Sequence, residues 1–173
     1  MDWTTQLTDQ LEWHWTNQLR PRLDGLTDDE YFWEPVPGCW NLRRTDDGVT
    51  IDFAFPNPEP PPVTTIAWRL AHVIVGVFGL RAASHFGGPP ADYGTWPYAG
   101  TATEALAQLD ATHELWVDGV RRLDAAALER PVGPAEGPFA ELPMAALVLH
   151  ISREAIHHGA EVCLLRDLYR ARA

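Results

Sequence analysis

The segment from residue 64 to 84 constrains the fold most, because apolar side chains surround nearly the whole circumference of the helix that it predicts. One side of this helix carries aliphatic residues at helical spacing: Ile66, Leu70, Val73, Val77 and Leu80. Trp68, Val75 and Phe78 cover other sides. A helix that is apolar nearly all round is usually buried. The segment therefore predicts a central helix around which the rest of the chain packs.

Three further segments show helical periodicity, at residues 2–20, 102–124 and 142–171. The third predicted helix opens with Thr101 and Glu104 at the spacing of a capping box, which favours a helix start at this point. No repeat or low-complexity tract interrupts the four segments. Four helices with one core predict an all-α fold, and a four-helix bundle is the leading architecture.

The long connection between the first two helices has a different character. Asp47 and Gly48 are flanked by stretches that can pair as a small β-hairpin. The proline-rich stretch 56–62 is best interpreted as an extended connector. We therefore predict a first crossover that carries a small hairpin, within a single domain spanning residues 1–173.

Composition excludes several classes of function. The net charge of −11 argues against a nucleic-acid partner, which requires a concentrated positive surface. The N-terminus has no signal-peptide pattern, and no apolar run approaches the roughly 20 residues that cross a bilayer. We therefore expect a cytoplasmic protein without a membrane partner. Cys39 and Cys163 lie far apart and are expected to be free thiols.

The last predicted helix contains a cluster of metal-capable residues, with three histidines and two glutamates in the twelve residues from 150 to 161. On a helical wheel, apolar residues mark the side that faces the core: Leu147, Ile151, Ala155, Val162, Leu165 and Tyr169. His158 falls inside that sector and Glu154 lies beside it, at i, i+4 spacing. His150 and Glu161 lie toward its edge, and His157 points further off.

Glu154 is the informative residue, because a core-facing glutamate is costly unless it is paired or bound to a cation. One explanation is a buried salt bridge, with Arg69 or Arg81 on the second helix or with the set of Arg153 and Arg166. The other explanation is a metal ion. The residues alone leave both open.

The position of His72 on the apolar second helix favours the metal ion over the salt bridge as the explanation for Glu154. A lone histidine there is more often a core residue than a ligand, but facing helices of a bundle are where metal sites are built. His72, Glu154 and His158 would supply two imidazoles and one carboxylate, which suit a borderline divalent ion. Three protein ligands leave one coordination position open, which is typical of catalysis.

Other residues are weaker candidates for a metal ligand or a reactive group. His113 could replace His72 as a ligand, although its neighbours Glu114 and Asp110 indicate a wetter setting. His14 is flanked by tryptophans and is interpreted as a packing residue. Cys39 has no basic partner nearby and is interpreted as a small buried residue.

Taken together, these residues resemble the DinB-like superfamily of four-helix metal proteins, especially its actinobacterial branches, which include mycothiol-dependent maleylpyruvate isomerase. The matching pieces are "EYFWEPVPGCWNLR", "WRLAHVIVG" and "HISREAIHHGAEVCLLRDLY". The resemblance spans nearly the whole chain. It implies a divalent metal, commonly zinc or nickel, with mycothiol or a similar thiol as co-substrate. Resembling proteins often form homodimers, which the apolar helices would allow here.

The resemblance also implies site residues. His72 matches the second-helix ligand, Glu154 the glutamate of the isomerase-like branch, and His158 the final histidine. A competing alignment makes His157 the ligand and puts Arg153 in the other position, where an arginine cannot bind a metal. His150 would be a catalytic acid–base or an orienting residue.

Two functional hypotheses follow. In the first, the protein is a metal-dependent enzyme that binds a thiolate at the open position and transfers sulfur to a small electrophile or isomerises it. In the second, the protein is a non-catalytic binding or stress-response module stabilised by its metal. A substrate would enter near Trp40 and Trp96.

Overall fold

The computed structural model describes residues 2–172. In chain order the elements are α1 (Trp3–His14), a π-helical segment (Trp15–Leu19), α2 (Arg20–Arg22), α3 (Asp28–Tyr31), β1 (Leu42–Thr45), β2 (Gly48–Ile51), α4 (Ile66–His72), a second π-helical segment (Val73–Gly79), α5 (Leu80–Phe86), α6 (Ala102–Arg121), α7 (Ala125–Glu129), a 3-10 segment (Pro134–Phe139) and α8 (Met144–Ala171). The chain is therefore mostly helical, and the all-α prediction is confirmed.

Two of the long helices each contain a π-helical segment. The first long helix runs from α1 through its π-helical segment to α2, and the second runs from α4 through its own π-helical segment to α5. α6 and α8 are the third and fourth long helices. All four lie where apolar periodicity predicts them. π-Helical turns inside α-helices are frequent at functional sites, and His72 directly precedes the second one.

The predicted hairpin is present in the first crossover. β1 and β2 pair antiparallel, with Leu42 opposite Ile51 and Thr45 opposite Gly48. The two-residue turn between them is Asp46–Asp47, so Gly48 begins the second strand rather than lying inside the turn. Gly48 has a φ of 131°, which favours glycine at this position.

The second long helix is the centre of the core. It packs against both α6 and α8, and Val75 and Phe78 are completely buried. By length and composition this 21-residue helix could cross a membrane, with a mean hydropathy of 1.4. This corrects the expectation that no apolar segment approaches that length. However, 61% of the apolar window is buried inside the fold, as in a core helix.

A buried ion pair fastens the first crossover to the fourth helix. Glu30 on α3 and Arg166 on α8 have side chains only 4% and 2% exposed, and Arg166 Nε donates to Glu30 Oε1 at 3.1 Å. Arg166 also donates to the backbone carbonyls of Arg22 and Asp24. Glu30 completes a capping box with Thr27. Charges taken out of water need partners of this kind.

His113 lies in the core, which corrects the wetter setting expected from its neighbours. Its ring stacks on Trp15 with centroids 3.7 Å apart and meets Phe78 edge to face. Its Nε2 is buried without a hydrogen-bond partner among the described residues. Burial lowers the pKa of His113 to about 4. The imidazole is therefore a neutral packing group at neutral pH.

This burial predicts an acid sensitivity that depends on His113. The folded pKa lies below the unfolded value, so the unfolded chain binds the proton first and stability falls as pH drops from 6.5 toward 4. We expect His113 to cost the wild type about 2–3 kcal/mol of unfolding free energy between pH 7 and 4.5. His113→Phe, which keeps the stack on Trp15, should not show this part of the loss. Urea titrations of both proteins at the two pH values measure it. Equal losses in both proteins would refute this role of His113.

Candidate metal centre

The structure brings His72, Glu154 and His158 together at the contact between the second and fourth helices. The rings of His72 and His158 meet nearly at right angles, with centroids 4.8 Å apart. Nε2 of His158 lies 3.5 Å from Oε2 of Glu154. His158 and Glu154 are close because they lie at i, i+4 on α8. His72 and His158 are close because the second and fourth helices pack against each other. Their role as ligands stays a prediction.

His72 is held by a residue that the sequence analysis did not single out. Its Nδ1 lies 2.7 Å from the hydroxyl of Tyr93, which comes from the loop between the second and third helices. Gly76, one helical turn after His72, makes this contact possible, because a Cβ there would lie 1.9 Å from the Tyr93 hydroxyl oxygen. The contact occupies Nδ1 and leaves Nε2 as the ligand atom of His72.

His158 is oriented in a similar way. Its Nδ1 lies 2.8 Å from Oε2 of Glu161, at i, i+3 on the same helix, so Nε2 points to the Glu154 side. A ligating histidine commonly donates its other ring N–H to a carboxylate, and this arrangement matches that pattern. Glu161 was predicted only to lie at the edge of the core sector. The i, i+3 spacing was the available signal for its contact with His158.

Burial makes both histidines suitable as neutral ligands. It lowers the pKa of His72 to about 4, with the neighbouring His158 acting in the same direction. Burial also lowers the pKa of His158, although the hydrogen bond to Glu161 opposes the shift. Metal binding requires the unprotonated imidazole. Both rings can therefore bind an ion at neutral pH without first losing a proton.

A second arrangement on the fourth helix competes with the predicted one. Among residues 2–172, one group of at least three His, Cys, Asp or Glu side chains has its ligand atoms all within 4.8 Å, namely His157, His158 and Glu161. The His157 side chain is 63% exposed. Nε of Arg69 lies 2.9 Å from Glu161, and its positive charge disfavours a cation at this outer position. The exposure of His157 and the ion pair that already engages Glu161 therefore favour the inner position beside His72 and Glu154.

The arginines that were considered as partners of Glu154 are mostly engaged elsewhere. Arg69 faces Glu161, Arg81 faces Glu136, and Arg166 pairs with Glu30. Among the described residues, Glu154 contacts Arg153 of its own helix at 3.4 Å, and that arginine is well exposed. A buried salt bridge to the second helix is therefore not what accommodates Glu154.

His150 lies next to Glu154 but away from the histidine pair. Its Nδ1 accepts a hydrogen bond from Nη2 of Arg153 at 2.6 Å and lies 3.6 Å from Oε1 of Glu154. The ring lines a separate cavity of about 520 Å³, together with Arg81 and Glu136. His150 therefore lies near Glu154 without a hydrogen bond to it, and both of its roles, as an acid–base or as an orienting residue, stay predictions.

Cys39 and two further histidines, His14 and His85, take part in separate contacts. Nε2 of His85 lies 2.9 Å from a carboxylate oxygen of the buried Glu136. Cys39 is buried and its thiol donates to the carbonyl of Val36. His14 Nε2 lies close to Gly159 on the fourth helix, where a Cβ would be only 3.0 Å away. These residues pack the fold and are not part of the histidine cluster.

A cleft of about 790 Å³ opens beside His72. Its walls come from the hairpin, the proline-rich connector and the loop before α6, and its aromatic lining is Trp40, Phe53, Trp68, Trp96 and Tyr98. Trp40 and Trp96, the residues near which substrate entry was expected, both line it. Arg69 and Tyr93 also reach the cleft. An apolar cleft with a few polar groups is the usual form of a small-molecule site.

The donor set is of a kind that binds divalent ions. Two neutral imidazoles and a carboxylate from two helices lie near one another, but among the described residues only the ligand atoms of His157, His158 and Glu161 are all within 4.8 Å. Each imidazole of the predicted set has a second partner that fixes its orientation. Zinc, nickel and similar ions accept this mixture of nitrogen and oxygen ligands. The residues present are therefore compatible with a resident metal.

Comparison with known proteins identifies the family. The model of the DinB superfamily matches residues 10–162, which is most of the chain. No match was found among curated proteins or among solved structures. Members of the superfamily usually bind a divalent metal, in agreement with the close group of His157, His158 and Glu161 on the fourth helix. The chain belongs to the DinB superfamily.

Proposed function

We propose that this protein is a divalent-metal-dependent enzyme that uses a low-molecular-weight thiol, such as mycothiol, for S-transfer or isomerisation. His72, Glu154 and His158 hold the ion, for which zinc or nickel is the best fit. The observation that carries the proposal is the aromatic cleft, which His72 lines, so that a small molecule bound there would lie next to one of the three proposed ligands. A structural metal would need no such neighbouring cleft.

When bound, a divalent ion with an open coordination position lowers the pKa of a thiol that binds there, so that the thiolate is present at neutral pH. In an S-transfer, the thiolate sulfur forms a bond to carbon of the electrophile, and the leaving group departs with the electron pair of the broken bond. Tyr93 and Glu161 fix the two imidazoles during this step. The aromatic walls orient the electrophile and exclude water.

Arg69 gives the cleft an affinity for anionic electrophiles. Its guanidinium lies over the Trp68 ring, 5.3 Å from the centroid, and it lines the cleft. Its only ionic contact among the described residues is with Glu161, through Nε at 2.9 Å. Burial lowers the pKa of Arg69, yet an arginine stays charged in proteins. The terminal NH₂ groups are therefore donors for a carboxylate in the cleft.

A matched pair of electrophiles tests the role of Arg69. With 4-chloro-3-nitrobenzoate, we expect Arg69→Met to lower kcat/KM for thiol arylation about 10- to 100-fold, because a charged hydrogen bond is lost. With the methyl ester of the same compound, the variant and the wild type should differ little. Metal content should be unchanged, since Arg69 is not a ligand. Equal losses of kcat/KM with the acid and with the ester would show that Arg69 does not recognise the carboxylate.

The enzymatic proposal as a whole is tested with zinc- or nickel-loaded protein. Mycothiol and other small thiols are offered with a panel of aryl halides and unsaturated acids, and loss of free thiol or of the cis isomer is followed. We expect turnover that disappears when a chelator removes the metal. The absence of turnover with every pair, in protein with one bound ion, would overturn the proposal.

The alternative function is a binding or stress-response module in which the metal only stabilises the fold. One observation favours it, because His72 and His158 come from different helices and an ion between them would link the two. This alternative expects metal removal to lower the Tm while thiols remain unreacted. We also propose a cytoplasmic location, because Cys39 and Cys163 are both free thiols, as is usual in reducing compartments.

A further inference from the structure

A second cavity lies between the second helix, the fourth helix and the loop that precedes the fourth helix. We call it the α8 cavity, because Leu147, His150 and Arg153 of α8 line it. Its volume of about 520 Å³ falls in the range of about 300–1,000 Å³ that is usual for small-molecule sites. Among the described residues, none lines both this cavity and the aromatic cleft. The α8 cavity is therefore separate from the site of the proposed function.

The wall of the α8 cavity contains apolar side chains that the fold leaves uncovered. Phe139 is 62% exposed and Leu142 is 47% exposed, and both come from the loop before α8. A ligand that covers such side chains removes apolar surface from water, which favours its binding. The α8 cavity therefore suits a molecule with an apolar body.

The wall also contains a buried carboxylate, but both of its oxygens are already paired with donors of the protein. The Glu136 side chain is 7% exposed, and Oε1 lies 2.9 Å from Nε2 of His85. Its Oε2 lies 3.3 Å from Nη2 of Arg81, and Nη1 of Arg81 donates to the carbonyl of Gly76. Glu136 and Arg81 thus satisfy each other within the wall.

The side-chain groups that remain free in the α8 cavity are hydrogen-bond donors. Nη2 of Arg153 donates to Nδ1 of His150 at 2.6 Å. Because a guanidinium can only donate, Nδ1 is the unprotonated nitrogen, and the neutral imidazole carries its hydrogen on Nε2. Among the described residues, neither Nε2 of His150 nor Nη1 of Arg153 has a hydrogen-bond partner. The ligand that completes these groups must therefore be an acceptor.

Charge makes an anion the best acceptor. The side chains that line the α8 cavity carry two positive charges, on Arg81 and Arg153, and one negative charge, on Glu136. The cavity is thus locally positive in a chain with a net charge of −11. The contact between Arg153 and Glu154 involves Nε at 3.4 Å, so Nη1 stays available. A carboxylate forms strong, charge-assisted hydrogen bonds with such a group.

We infer that the α8 cavity is a second ligand site, which binds a small amphipathic carboxylate. The carboxylate accepts hydrogen bonds from Nε2 of His150 and Nη1 of Arg153. The apolar body of the ligand covers Phe139 and Leu142. This inference depends neither on the metal nor on the proposed enzymatic activity, because no proposed metal ligand lines the cavity.

Isothermal titration calorimetry of the full-length, zinc-loaded protein with octanoate tests the site. We expect binding of octanoate, and binding of octanamide at least about tenfold weaker, because the amide has the same apolar body without the charge. The Kd for octanoate should stay the same after a chelator has removed the zinc. Loss of binding on zinc removal would place the carboxylate on the ion and overturn the inference.

Two matched pairs of variants locate the bound octanoate. Arg153→Met should raise the Kd about tenfold or more, whereas Arg69→Met in the aromatic cleft should leave it unchanged. Leu142→Glu should also raise the Kd about tenfold or more, because it adds a negative charge to the cavity. Leu168→Glu should not, because Leu168 is equally exposed, at 47%, but lies outside the cavity.

Equal effects on the octanoate Kd within either pair of variants would overturn the inference. So would a wild-type protein that binds no octanoate at concentrations up to about 10 mM. Because Arg153, Leu142 and Leu168 are all well exposed, the fold should persist in their variants, which circular dichroism checks.

Discussion

His72→Ala is expected to lower the affinity for zinc or nickel at least about 100-fold, leaving the purified protein with little bound metal. The variant removes one of three protein ligands, and even residues that merely orient a ligand change metal affinity 10- to 100-fold. His157→Ala is expected to keep one ion per chain, because His157 belongs to the exposed outer cluster beside Arg69. Elemental analysis and competition with a chelator measure both.

The paired design separates the two positions that the histidines can form. His158 belongs to both arrangements, so its substitution alone cannot distinguish them. Circular dichroism of each variant without metal checks that the fold persists. Loss of metal in His157→Ala together with its retention in His72→Ala would assign the ion to the outer cluster.

Glu30→Ala is expected to lower the free energy of unfolding by about 3–5 kcal/mol. The substitution leaves Arg166 charged, almost completely buried and without its carboxylate, and it also removes half of the capping box at Thr27. Arg166 would keep its backbone contacts to Arg22 and Asp24, which do not neutralise its charge. Urea unfolding of the metal-free protein at pH 7 measures the loss.

An exposed ion pair provides the control for that measurement. Glu12 pairs with Arg121 between the first and third helices, and both side chains are partly exposed. Glu12→Ala should therefore cost less than about 1 kcal/mol, as is usual for surface pairs. Similar losses of unfolding free energy in the two variants would mean that burial does not make the Glu30–Arg166 pair contribute more to stability than a surface pair.

Features that depend on one helix were the ones that the sequence predicted well. The wheel of the fourth helix places His158 inside, Glu154 beside it and His157 outside, and the structure has all three there. This works because side-chain direction within a helix follows from its 3.6-residue period. The start of the third helix at Thr101 was predictable for the same local reason.

Features that depend on contacts between distant segments were not predictable in this way. Tyr93 reaches His72 from a loop, and only the absence of a side chain at Gly76 admits it. His113 looked solvated from its acidic neighbours, but Trp15 of another helix covers its ring. Arg69 enters the cleft because of how the crossover folds over the second helix. A single sequence contains no local pattern for such contacts.

The most direct test of the central claim is the position of the ion in crystals of zinc-loaded protein, located by anomalous diffraction at the zinc absorption edge. We predict one strong peak bonded to Nε2 of His72, Nε2 of His158 and a carboxylate oxygen of Glu154, at distances of about 2.0–2.2 Å. A peak between His157 and Glu161 instead, with His72 bonded only to Tyr93, would contradict it.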